Sequence, residues 1–115
     1  MRAGRLAAAV ALVSFLLAPV ARAVDVERGA RLYARYCAGC HGRDGQGGAH
    51  TFMPHVENLT RRGYVELLPD EYLMLVIREG GPAVGKSAYM PAWGGTIAEE
   101  DIANIVAHIR RLGLR

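Results

Sequence analysis

The sequence predicts an all-α domain of three or more helices joined by long glycine-rich loops. Two stretches repeat apolar residues at helical spacing, and a third carries both a start and a stop signal. No stretch shows the apolar–polar alternation of a half-buried strand. Most of the 14 glycines fall between the helical stretches, where they mark turns and loops rather than element interiors.

Residues 1–23 read as an export signal. Arg2 and Arg5 form a positive head, Leu6 to Ala18 form an apolar run, and Ala21-Arg22-Ala23 resembles a small-residue cleavage site. The run is 13 residues long, short of the roughly 20 that a membrane-spanning helix needs. Cleavage after Ala23 is expected, leaving residues 24–115 as one domain; retention of the segment as a membrane anchor is the alternative. Arg2, Arg5 and Arg22 would leave with the leader. The 14 basic and 11 acidic residues of the whole chain then become a formally neutral domain. The basic character of the full chain therefore does not point to nucleic acid, and no basic stripe with interleaved aromatics remains.

Asp25 is placed to cap a first helix beginning at about Val26. Gly29, Leu32, Tyr33 and Tyr36 share its inner face, with Arg28, Arg31 and Arg35 outside. A glycine inside a helix costs about 0.5–1 kcal/mol relative to alanine. On a packed face, its use is to let a second helix approach closely.

This helix leads into Cys37-Ala38-Gly39-Cys40-His41, and the chain has only these 2 cysteines. Two thiols at this spacing, followed at once by histidine, form the attachment signature of a c-type haem. Each thiol forms a thioether with one porphyrin vinyl group, and His41 lies under the iron as proximal ligand. One covalent haem accounts for both cysteines. A redox dithiol shares the spacing, but such motifs follow a strand and open a helix in a βαβ setting. A zinc site could recruit Cys37, Cys40, His50 and His55, yet the two pairs lie closer than in a zinc finger and lack its frame.

Gly42 to Gly48 is too rich in glycine for a helix or strand. It also lacks the Gly-Lys-Ser/Thr ending of a phosphate-binding loop. A wrapping loop to about Arg62 and a helical turn over 64–67 should follow. A second long helix is expected from Asp70 or Glu71 to Glu79, with Pro69 at its start, acids at its positive end and Gly80 as its stop. Tyr72, Leu73, Val76 and Ile77 share one face. Residues 80–95 are loop again. Thr96-Ile97-Ala98-Glu99 then reads as a capping box opening a last helix to Leu112. Ile102, Ile105, Val106, Ile109 and Leu112 form its apolar stripe, with Arg110 and Arg111 at the negative end and Gly113 beyond. His108 falls beside that stripe and is expected at its edge or on the surface.

A haem iron has two axial positions. Met74 lies mid-helix among apolar neighbours and reads as core. Met90 lies in a glycine-rich loop directly before Pro91, which favours extended backbone at Met90 and fixes the chain beyond it. A thioether so constrained suits the distal position. Met53 shares the Met-Pro setting but is only 12 residues from His41, a short tether to the opposite haem face. His50 and His55 remain further alternatives. Tyr89 and Trp93 flank Met90 and either wall the haem or bond a propionate, or serve as ordinary loop and core aromatics.

Over essentially all of residues 24–115, the chain resembles a class I c-type cytochrome of the small bacterial monohaem kind. The resemblance rests on the helix leading into Cys37–His41, on Gly29 and Tyr33 facing Ile105 and Ile109, and on Gly85-Lys86-Ser87-Ala88-Tyr89-Met90-Pro91-Ala92-Trp93. It implies the cytochrome c fold wrapped around the haem. It also carries Met90 over as the distal ligand and Pro54 as the residue whose carbonyl accepts the His41 ring N–H. His108 departs from the aromatic residue common in the last helix of the family.

With both axial positions filled, the iron has no open site for a small-molecule substrate. Nothing in the sequence resembles catalytic equipment. The expected function is periplasmic electron transfer by a soluble carrier, not an enzyme, working between a donor and an acceptor protein. Permanent attachment to a periplasmic dehydrogenase or to a respiratory complex such as a terminal oxidase is the alternative. Arg43, Arg61, Arg62 and Lys86 lie nearest the haem loops in sequence. They either ring the exposed haem edge as a docking face or stand as solvated charges.

Overall fold

The Asp25 carboxylate accepts the backbone N–H of Arg28 at 2.9 Å. It thereby satisfies one of the orphan donors at the start of α1, Val26–Tyr36. The computed structural model describes residues 3–18, 22–47 and 56–115. Beyond α1 it contains α2 (Ala38–His41), α3 (Asp70–Glu79) and α4 (Glu99–Leu112), with 3-10 turns at Val65–Leu67 and Gly81–Val84. The chain is all-α, with no strand among the described residues. None of its helices is long and apolar enough to cross a membrane among those residues.

The pairing of α1 with α4 is the most extensive in the fold, and Gly29 permits it. A Cβ at Gly29 would lie 1.9 Å from the Asn104 carbonyl oxygen and 3.0 Å from the Ile105 nitrogen. Any larger side chain would therefore meet main chain rather than a yielding side chain. Polar groups fix the register of the crossing. Arg28 donates to Asp101 through Nε at 2.5 Å and Nη2 at 2.7 Å, and the Asp25 N–H donates to Asn104 Oδ1 at 2.7 Å. The Arg28 guanidinium holds the Asp101 carboxyl below the usual carboxylate range.

Tyr33, Leu73, Ile77, Ile97, Ile102, Ile105, Val106, Ile109 and Leu112 form the centre of the core. Ile102 and Ile105 are wholly inaccessible, each burial contributing about 1.5–3 kcal/mol. Arg110 ties α4 to the chain ahead of α3. It donates to the Asp70 carboxylate at 2.7 Å, to the Val65 carbonyl at 2.6 Å and to the Leu68 carbonyl.

Two expectations for α4 require correction. The helix begins at Glu99 with Ala98 as N-cap and no side-chain cap, so the Thr96–Glu99 box does not form. The Trp93 carbonyl instead draws the Thr96 and Ile97 N–H groups into a turn that buries Ile97. Glu99 reaches Arg78 at 2.8 Å. His108 is buried rather than peripheral, its ring 5.0 Å from that of Tyr33. Asp101, Asn104, Ile105 and His108 recur at i, i+3, i+4 and i+7, a second buried stripe that faces α1. His108 thus takes a buried packing position against Tyr33 rather than the edge or surface position expected for it.

Candidate functional site

The Cys37 N–H donates to the Tyr33 carbonyl at 2.9 Å, ending α1. The Cys37 carbonyl then accepts from Cys40 and His41 at 3.2 and 2.9 Å. The helical path is thus nearly continuous through α2, and Cys37 and Cys40 stand one turn apart with His41 directly after. Gly42 closes this turn with φ +82°, backbone that side chains disfavour. Tyr33 anchors the corner, its hydroxyl donating to the Gly42 carbonyl at 2.7 Å. Burial raises the Tyr33 pKa further, which keeps the hydroxyl a donor.

The glycine loop then folds back on the site. The Gly47 N–H donates to the His41 carbonyl at 2.6 Å, and the Leu59 N–H to the Gly45 carbonyl at 2.7 Å. This draws residues 57–59 against the motif. The Glu57 carbonyl comes to lie 3.2 Å from His41 Nδ1. A carbonyl can only accept, so Nδ1 carries the proton and the lone pair of the neutral ring is at Nε2. Burial, only partly offset by the Glu57 carbonyl, lowers the His41 pKa and keeps the ring neutral. That is the state in which imidazole binds a metal.

Pro54, expected to supply this carbonyl, lies outside the described residues, as do His50, Met53 and His55. Glu57 is the functional residue that the sequence did not reveal. Every residue carries a carbonyl, so no side-chain pattern announces the one that accepts.

Both cysteines are free. Burial pushes the Cys37 thiol up to about 12, with Cys40 adding to the shift. A redox-active dithiol needs an accessible thiolate of depressed pKa, the opposite of this environment. Among the described residues, no three His, Cys, Asp or Glu side chains converge as a metal site.

Met90 is held from the end of α3. The Gly80 N–H donates to Val76, and Gly80 itself takes φ +84°. The Gly81 N–H donates to the Met90 carbonyl at 2.9 Å, while Trp93 and Gly94 donate to the Ile77 and Arg78 carbonyls at 2.9 and 3.0 Å. The loop thereby satisfies the orphan carbonyls at the helix end and fixes the main chain on both sides of the thioether. Met90 is partly buried against the core, as is Met74. Trp93 packs on Tyr36 with ring centroids 5.1 Å apart, which joins the Met90 loop to the helix bearing the cysteine motif. Tyr89 is 72% exposed, its N–H bonded to Ser87 Oγ.

These residues fit a covalent haem. The thiols are spaced for two vinyl groups, Nε2 of His41 carries the lone pair of the neutral ring, and Leu32, Tyr36, Leu59, Met90 and Trp93 are only partly buried against the core. A flat apolar macrocycle seated against the residues beside the motif and Met90 would take further apolar surface from water. Of the expected docking charges, Arg61 lies over the Tyr64 ring at 4.6 Å and Lys86 Nζ donates to the Tyr64 hydroxyl at 2.9 Å. Arg43 and Arg62 are exposed. Residues 24–109 match the family model described as cytochrome C oxidase, cbb3-type, subunit III.

Proposed function

The chain belongs to this family of c-type cytochrome domains, and on that premise we propose that it carries electrons in the periplasm through one haem c. In this reading Cys37 and Cys40 hold the haem covalently, with His41 and Met90 as axial ligands. Membership of the family makes the protein a haem-based electron carrier rather than a catalytic enzyme. The haem, once bound, supplies reversible one-electron chemistry at iron.

The observation that carries the ligand assignment is the hydrogen bond from His41 Nδ1 to the Glu57 carbonyl. It orients the ring, fixes the tautomer and strengthens Nε2 as a donor. On the other side, Gly81 and the α3 end hold the backbone around Met90, so the thioether is presented with little freedom to lose. Thioether ligation favours the ferrous state and raises the potential relative to a second imidazole. Trp93, its ring tilted against that of Tyr36, is suited to wall the haem. Tyr89, exposed at the loop tip, is suited to contact a redox partner.

The leader directs the domain to the compartment where haem is attached, with cleavage after Ala23. The matched family is described as an oxidase subunit. That description favours a second arrangement, in which the same domain is bound to a respiratory complex.

Expression of the full chain with a haem-attachment system tests the reading. Periplasmic protein beginning at Val24, heavier than its polypeptide by one haem, with a Soret band that survives acid denaturation, is the expected result. A haem released by acid would contradict it. Native size then separates the arrangements, a carrier eluting alone and a subunit eluting with its complex.

A further inference from the structure

The segment supporting His41 and the loop presenting Met90 meet at one side chain. Glu57, whose carbonyl faces His41 Nδ1, pairs through its carboxylate with Arg61 at 3.6 Å. The Arg61 guanidinium lies over the Tyr64 ring, 4.6 Å from its centroid. From the other side, Lys86 Nζ donates to the Tyr64 hydroxyl at 2.9 Å and lies 5.5 Å from the same ring. The Lys86 backbone N–H donates to the Gly81 carbonyl at 2.8 Å, and the Gly81 N–H donates to the Met90 carbonyl. One tyrosine therefore closes a continuous path from the proximal histidine to the distal methionine.

We infer that Tyr64 is a positioning residue that holds the Met90 loop against the His41 side of the site and so limits how readily the thioether leaves the iron. The inference rests on the His41/Met90 ligation proposed above. Two charged side chains from opposite segments converge on one ring, the geometry of a cation–π and hydrogen-bonded clasp. Neither Arg61 nor Lys86 is then a simple docking charge. Releasing the Lys86 side chain leaves the Gly81–Met90 and Lys86–Gly81 backbone bonds intact but removes the side-chain tie that holds the loop to Tyr64.

Carbon monoxide binding to the ferrous holo-protein reads this directly, because the ligand enters only when Met90 departs. Tyr64→Phe keeps the ring for Arg61 and removes only the acceptor of the Lys86 bond. It should speed carbon monoxide association about three- to tenfold, the range one lost hydrogen bond supports. Lys86→Met should do the same, and the double variant should add nothing beyond either single one. M90A sets the open-site rate. Slow binding in the wild type, fast binding in M90A and unchanged binding in Tyr64→Phe and Lys86→Met would overturn the positioning role while leaving the ligation intact. A lower thermal midpoint in Tyr64→Phe with an unchanged rate would overturn it too, as a purely structural effect. Wild-type binding as fast as M90A would remove the ligation and the positioning role together.

Discussion

Gly29 lies so close to Asn104 that a Cβ at position 29 would sit 1.9 Å from the Asn104 carbonyl oxygen. The contact is with main chain, which cannot rotate aside, so α1 and α4 would have to separate. Overpacking of this kind costs about 1–3 kcal/mol, and a valine should reach the upper end. The thermal midpoint of G29V holo-protein should fall well below that of G95A, since no described residue lies within 4 Å of the Cβ position of Gly95.

This crossing was legible in the sequence because a glycine on the apolar face of a helix has few other uses. The caps of α1 and α3 were legible too, being local: Asp25 bonds within its own first turn, and α3 runs from Asp70 to Glu79 with Gly80 as its stop. What escaped depends on competition between backbone partners and on distant chain. The Thr96–Glu99 box is a local pattern overruled by the Trp93 carbonyl and by Arg78. His108 was misplaced because α4 buries two stripes, and only the wholly apolar one stands out in sequence. The Cys37–His41 motif was plain, whereas the Glu57 carbonyl beside His41 has no signature in residue type.

His108 makes stability depend on pH. Its Nδ1 is buried without a partner among the described residues, and burial, with Arg115 and Arg111 nearby, lowers its pKa from the ordinary 6.5. A folded-state pKa below the unfolded one means that its contribution is complete above 6.5 and is lost as pH falls through the folded value. Asp101, also lowered, loses its contribution only below the carboxylate value of 3.8. Chemical denaturation of holo-protein should show two separate declines on acidification. H108F should abolish the upper one and gain about 1 kcal/mol, having removed a buried ring nitrogen left without a hydrogen bond among the described residues.

The Met90 loop depends on Gly81. A Cβ there would lie 2.0 Å from the Ser87 carbonyl oxygen, the same oxygen that accepts the Met90 N–H. G81A should displace the turn that presents the thioether. The expected variant keeps its covalent haem but shows a weakened near-infrared sulfur-to-iron absorption, a lower potential and a loss of about 1–3 kcal/mol. An unchanged spectrum would mean that the Gly80–Gly81 approach does not govern Met90.

The near-infrared absorption of oxidised holo-protein reports an iron–thioether bond and tests the ligand assignment most directly. The band should be present in the wild type and in M53A and absent from M90A, whose potential should also fall. A band that persists in M90A, or one that vanishes in M53A instead, would contradict the assignment of Met90 as the distal ligand.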